Sequence, residues 1–465
     1  MNDFFTIMKS ELVITFIIFL LLLVKIGRGM KNESLLMLVQ LLLLLNFISG
    51  FFFNKEGHLF GGMYHTGTLI AFQKNILSLG AYLISLLFAD WFKKSEHLPE
   101  FFILMLSALL GMFFMISSGN LLMFFLSLEL ATIPVAAMAN FDLEKKISSE
   151  AAMKFILSSA FSSGILLFGI SMVYGATGTI SFEQLPAQLN GNPLQVLAFV
   201  FLFTAFAFKL SIVPFHLWTA DVYEGSPVAA TAFLSVISKG AVAFIFITAL
   251  YKVFQPMNEL WYNMVMILSI ATMIIGNLFA LRQQNIKRFL AFSSIAQVGF
   301  ILVGISSNAA EGVSSVVYFV LIYTFSNLAA FGVAAAIASQ SGKENIDEYK
   351  GLYQTNPLLC WVLALALFSL AGIPPTAGFF GKLFLLTAGA SKANYLFISI
   401  AALNMIVSLY YYLRIIRAMF MEKNEQPIEK IKVHPSVKLG LMICAAGIIL
   451  VGLLSWVYDY IQSLN

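Results

Sequence analysis

Three lysines, Lys209, Lys239 and Lys382, and one glutamate, Glu129, stand inside long apolar runs of a 465-residue chain. An ionisable group at mid-bilayer depth costs about 2.5–3.5 kcal/mol on insertion scales, and groups kept at that depth usually face a polar interior and handle ions or protons. Helix-breaking prolines lie close by in sequence, at Pro214 after Lys209 and at Pro374 and Pro375 before Lys382. Desolvation penalises a charged amine and a neighbouring carboxylate favours it. A Glu129–Lys209 pair that opens and closes therefore has the chemistry to move a lysine between holding and releasing a proton. Lys239 and Lys382 extend that chemistry further along the chain.

Other polar residues are weighed against blander roles. A lysine near a helix end usually stretches to the interface, with its stem along apolar surface and its amine in water. That role is expected of Lys74 and Lys252. Lys154, one turn inside its segment, is open between that role and the proton path. His216, just after Pro214, is open between a hydrogen-bonding residue at a loop end and a proton relay. Ser211, Ser235, Ser238, Ser293, Ser294, Thr324, Asn327 and Asn404 are expected mostly to join helices. Gln297 is retained as a weaker candidate for the path.

These residues need a membrane scaffold. The composition is 60% hydrophobic and 11% charged, against roughly 25% charged in soluble domains. The reading is an all-α polytopic membrane protein. About 20 apolar residues cross the hydrocarbon, and fourteen segments qualify: 10–27, 34–53, 68–92, 100–117, 120–139, 151–174, 195–218, 228–251, 260–281, 288–306, 312–339, 358–391, 394–420 and 436–461. Segment 358–391 is too long for one straight crossing and contains AGIPPTAGFFGK, so it is read as one discontinuous helix. Segment 195–218 breaks similarly at Pro214. Broken helices at this depth line protein-enclosed or wet cavities.

Basic residues in short loops set the orientation. Lys25, Arg28 and Lys31, Lys93 and Lys94, Lys145 and Lys146, Arg282, Lys287 and Arg288, Lys343 and Lys350, and Lys423, Lys430 and Lys432 fall in odd-numbered loops. Those loops are expected on the cytoplasmic side, with both termini outside. The broken seventh and twelfth helices are each fourth in a five-helix block. The expected divisions are 1–99 (three helices), 100–251 and 260–420 (two inverted five-helix repeats), and 421–465 (a loop and last helix). Inverted repeats around discontinuous helices are a transporter arrangement.

The two cysteines, Cys360 and Cys444, have no metal or disulfide spacing, and the five histidines are scattered. Haem and iron–sulfur sites need axial ligand sets or several cysteines. No metal site and no redox centre on this chain is therefore expected. The net charge of +4 says little about nucleic acid, because the basic residues lie in short loops; the expected surroundings are a lipid bilayer, with no nucleic acid. The start lacks the pattern of a cleaved signal.

The run FKLSIVPFHLWTADVYEGSPVAATAFLSVISKGA (208–241) resembles the antiporter-like subunits of respiratory complex I. LSLELATIPV (126–135) is similar to that family's glutamate helix, QNIKRFLAFSSIAQVGF (284–300) to its tenth helix, and GIPPTAGFFGKLFL (372–385) to its second broken helix. The resemblance spans nearly the whole chain. It implies fourteen core helices, a bacterial inner-membrane location and neighbouring membrane-arm subunits as partners. It also implies NADH, FMN, iron–sulfur clusters and quinone on partner subunits. Residue by residue, it implies Glu129 and Lys209 as the charged pair of one half-channel, Lys239 as the linking lysine, Lys382 as the centre of the second half-channel, and Lys154 as a further lysine. Family members often carry histidine where this chain has Gln297, so a relay there would run through water held by the amide. The activity implied is proton translocation driven by NADH:quinone oxidoreduction. The rivals are a subunit of a multi-subunit cation/proton antiporter, a membrane arm of an energy-converting hydrogenase, and a spacer subunit that pumps nothing.

Overall fold

The computed structural model describes residues 2–27, 30–52 and 54–465; Arg28, counted above for orientation, lies outside them. The principal helices are α1 (Lys9–Ile26), α2 (Asn32–Ser49), α3 (Thr68–Leu87), α4 (Leu98–Ile116), α5 (Leu121–Ala139), α6 (Lys146–Thr177), α7 (Pro193–Leu210), α8 (Leu217–Gly225), α9 (Val228–Val253), α10 (Asn258–Arg282), α11 (Ile286–Ile305), α12 (Ala310–Ser341), α13 (Pro357–Ala371), α14 (Ala377–Ala390), α15 (Tyr395–Met421), α16 (Pro435–Leu453) and α17 (Trp456–Ser463). A small antiparallel hairpin, β1 (Gly57–Leu59) and β2 (Tyr64–Thr66), joins α2 to α3.

Among the described residues, twelve helices are by themselves long and apolar enough to cross a membrane. Among the described residues, each of the fourteen expected segments overlaps helix. Burial grades across them: α12 is wholly interior in its apolar window, α11 94% and α9 89%, whereas α2 is 28%. The outer helices present Phe16, Phe19, Leu41, Phe161, Phe168 and Ile406 outward, as lipid-facing surfaces require.

Two breaks shape the centre. α7 ends at Ser211, whose φ is +63°, and the chain passes Pro214 before resuming as α8. The Phe208 carbonyl accepts from Ser211 N–H at 3.0 Å and from Trp218 Nε1 at 3.1 Å. The expected segment 195–218 therefore continues to Gly225, because α8 restarts beyond the proline. α13 ends at Gly372, φ +86°, before Pro374 and Pro375. A Cβ there would also lie 3.1 Å from Lys382 Cδ, so glycine admits both the turn and the lysine.

Several features occur twice. Asn120 caps α5 through Met123 N–H and bridges Ser181; Asn285 caps α11 through Lys287 and Arg288 N–H and bridges Asn345. Gly111 lets α4 touch the backbone at Ala131, and Gly276 lets α10 touch Ala296. α6 and α12 are both 32 residues long and both stop at a left-handed glycine, Gly178 and Gly342.

Candidate functional site

Lys209, Lys239 and Lys382 are all interior, at 6%, 3% and 0% exposure. Each amine has partners chosen by the helix next to it. Lys209 Nζ, one residue before the end of α7, donates to Thr132 Oγ1 on α5 and to Ser159 Oγ on α6 at 3.1 Å. Its ammonium stands 5.3 Å from the Phe155 ring centre. Glu129, one turn before Thr132, is half-buried and accepts from Ser163 Oγ, one turn after Ser159. The carboxylate and the amine thus occupy adjacent levels of the same α5–α6 groove, each held by its own hydroxyl.

A cavity of about 10 Å³ opens beside Lys209, lined also by Thr132, Phe155, Ser238 and Val242. That is room for about one water, and it reaches α9 one residue before Lys239. The turns over Phe233–Ser238 are widened to π-type spacing, a distortion common at functional sites. Ser235, within them, meets Tyr323 and Asn327 of α12. Lys239 Nζ donates to Ser294 Oγ on α11 at 2.7 Å and lies 5.6 Å from the Tyr223 ring centre.

α11 carries the line onward. Ser293 meets the Tyr412 hydroxyl, and Gln297 Nε2 contacts the same hydroxyl at 3.1 Å. Gln297 Nε2 also donates to Leu370 O at 2.8 Å. Lys382 Nζ donates to that same carbonyl at 2.7 Å and to Ala371 O at 3.3 Å. The second break supplies these carbonyls, because the end of α13 leaves them without helical partners. Gln297 and Lys382 are therefore joined through one backbone oxygen, and Gln297 Oε1 remains buried without a protein partner.

The other candidates fall elsewhere. Lys154 is 42% exposed at its side chain and pairs with Asp221 at 2.6 Å and Glu150 at 2.7 Å. Asp221 and Glu224, both on α8, also hold Arg288 at 2.9 and 2.7 Å. This charged cluster adjoins a cavity of about 360 Å³ lined by Asp142, Lys145, Glu224, Ser226, Lys287 and Glu344, among others. Tyr223, next to Glu224 in sequence, presents its ring to Lys239. His216 caps the start of α8, is 8% exposed, and has a buried Nδ1 without a protein partner. It makes no hydrogen bond to the lysines among the described residues. Lys252 is exposed, in agreement with its expected reach to an interface.

Lys74 departs from expectation. It is 2% exposed and forms an ion pair with Glu11 at 2.6 Å. Snorkelling fails because α1 and the hairpin cover that end of α3 and supply a carboxylate. Sequence reasoning also passed over Thr132, Ser159, Ser163, Tyr412 and the Asp221–Arg288 cluster. Thr132 was accessible as the residue one turn from Glu129; Tyr412, more than a hundred residues from its partners, carried no local signal.

The model of the NADH:quinone oxidoreductase/Mrp antiporter transmembrane family matches residues 118–408. The NADH-quinone oxidoreductase subunit N of Phocaeicola vulgatus is 50% identical over 413 residues, 88% of each chain. A chain of respiratory complex I from Thermus thermophilus superimposes with a TM-score of 0.84 at 27% identity, covering 98% of this chain and all of that one. A chain of the Mrp complex from Dietzia sp. superimposes at 0.87 with 19% identity, covering 98% and 96%, a likeness of fold.

Proposed function

Because this chain belongs to the NADH:quinone oxidoreductase/Mrp antiporter family of membrane subunits, in its subunit N branch, we propose that Lys209, Lys239 and Lys382, with Glu129, carry the protons that an NADH:quinone oxidoreductase moves. The observation that supports this most is three interior lysines, each held by hydroxyls or by carbonyls of the second helix break, with Glu129 in the same groove as the first. A packed apolar interior keeps that many amines only at a cost of several kcal/mol each, so stability is not their purpose.

Closing the Glu129–Lys209 pair favours a protonated Lys209. Opening it favours release through the small cavity toward Ser238 and Lys239, then past Ser294 and α11 to Lys382. Gln297 cannot take a proton, so its free Oε1 holds water on that path, and the Tyr412 hydroxyl turns with it. The amines interact strongly, so their titrations belong to the set. Lys154 and the Asp221–Arg288 cluster serve the charged mouth, where protons enter past Tyr223. His216 lies to one side and positions the restart of α8.

The chain is read as having no redox centre of its own; NADH, FMN, iron–sulfur clusters and quinone act on partner subunits, and the free energy arrives here as a conformational or electrostatic change. Its partners are other membrane-arm subunits, including antiporter-like ones, within a bacterial inner membrane. The basic loops are placed in the cytoplasm, and the hairpin and both termini outside. The recurring caps, glycine contacts and breaks support two inverted five-helix repeats, 100–251 and 260–420, between a 1–99 segment and a 421–465 closing segment.

Lys209→Ala in reconstituted vesicles tests the reading: proton translocation falls while the complex still assembles. Normal pumping by the assembled variant overturns it. Copurifying flavin and iron separate the oxidoreductase from a cation/proton antiporter, and copurifying nickel marks an energy-converting hydrogenase.

A further inference from the structure

A buried ion pair lies outside the line just described. Lys74 on α3 and Glu11 on α1 are 2.6 Å apart, with side chains 3% and 1% exposed. Lys74 Nζ also donates to the Tyr64 hydroxyl at 3.0 Å and stands 5.1 Å from that ring's centre. Tyr64 comes from the hairpin and donates to Ile7 O at 3.3 Å, so β2 closes over the pair. Glu11 Oε2 is buried without a protein partner.

Here one carboxylate oxygen and one of the three ammonium donors are left over. Lys74 lines a cavity of about 10 Å³ with Lys9, Ser10, Asn54, Thr66 and Ala71, room for about one water. Lys9 bonds the carbonyls of Ser49 and Phe52 and the amide of exposed Asn54, so the cavity sits directly beneath the hairpin-end surface.

The other side of α3 meets α9. Leu77, one turn along α3 from Lys74, lies 3.6 Å from where a Cβ on Gly240 would stand, and Ile237 packs on Gly80. Gly240 adjoins Lys239. Leu77 and Ile237 thus pack α3 against α9 beside Lys239, and charge on the pair acts on that amine through this contact.

We propose that Lys74–Glu11, lidded by Tyr64, is a proton-exchange site that equilibrates with water at the hairpin end and sets a charge that biases Lys239. It rests on the reading of the chain as a proton translocator. In the step, an N–H bond of the Lys74 ammonium breaks, its electron pair stays on nitrogen, and the proton joins the cavity water as hydronium, which leaves past Asn54. The reverse step recharges the amine. The groups facing Lys74 are Glu11 and Lys9 from α1, Tyr64 from β2, and Lys55 from the α2–β1 connection.

Two variants of the whole complex in vesicles test it. Lys74→Arg keeps the charge but cannot release a proton at any accessible pH; the double variant Lys74→Met with Glu11→Leu removes the pair and keeps apolar volume. The expected result is loss of proton translocation per electron in either assembled variant, and loss of the dependence of pumping on pH at the hairpin side. Wild-type pumping at every such pH in an assembled variant overturns the site. Failure of both to assemble also overturns it, assigning the pair to holding α1 on α3. Lys209→Ala, run in parallel, separates the two ideas: pumping lost there but kept in Lys74→Arg rejects only this site, and pumping kept in Lys209→Ala rejects the parent reading.

Discussion

Lys209 and Glu129 face the same groove without touching: among the described residues no ion pair joins them, and Ser163 holds the carboxylate while Thr132 and Ser159 hold the amine. The hydroxyls therefore keep the pair open. Ser163→Ala removes a charged hydrogen bond worth about 1.5–3 kcal/mol and biases Glu129 toward Lys209. Slower proton translocation with retained assembly is expected in vesicles. An equal or faster rate would show that Ser163 does not hold the pair apart.

Lys382 and Gln297 share the carbonyl of Leu370. In Lys382→Met, Gln297 still covers that oxygen, but Ala371 O loses its donor. The orphaned buried acceptor costs about 1–3 kcal/mol, which removal of the buried amine offsets, so little change in stability is expected, with proton translocation lost outright. Thermal melting in detergent and vesicle pumping measure the two separately. Gln297→His restores a protonatable ring beside Tyr412, and its expected signature is a changed pH profile of pumping with little change in melting.

Close helix contact depends on Gly111 and Gly276. A Cβ would fall 2.4 Å from Ala131 N in the first case and 2.6 Å from Ala296 N in the second. Gly111→Ala and Gly276→Ala are each expected to cost about 1–3 kcal/mol through forced separation of packed helices. At Gly164, on the same kind of helix, nothing lies within 4 Å. Gly164→Ala is expected to be neutral or to stabilise by about 0.5–1 kcal/mol. Melting temperatures of the three variants give the comparison.

The hairpin has its own pH response. His58 and His65 face across it with Nδ1 atoms 3.3 Å apart. Burial first, then the His58 and Lys252 charges, hold the His65 imidazole below its usual value of 6.5, with Glu183 and Glu56 opposing. The folded hairpin thus binds fewer protons than the open one, so its stability rises with pH. It is complete above the usual histidine value, and falls as pH drops from there through the lower folded value. Amide hydrogen exchange over residues 57–66 is expected to quicken in that window. His65→Gln removes the dependence; an unchanged dependence in that variant would place it elsewhere.

The amino-acid sequence carried the architecture because its signals are local. Twenty apolar residues either span the hydrocarbon or do not, and a proline after Lys209 or before Lys382 removes helix hydrogen bonds wherever the helix packs. The depth of Lys209, Lys239 and Lys382 followed from the same counting, and all three are interior. Lys74 shows where the counting stops. Its place near a helix end predicted an exposed amine, yet a carboxylate 63 residues earlier and a hairpin tyrosine enclose it.

Which polar atom each buried charge meets was a tertiary matter throughout. Glu129 could have paired with Lys209 or with Ser163, and only the register of α5 against α6 chose. Gln297 reached Lys382 only because α11 lies against the end of α13. Apolar runs are fixed by residue type, summed along a few turns. Partners are fixed by which helix faces are pressed together, and chain entropy leaves that open until the whole bundle has packed.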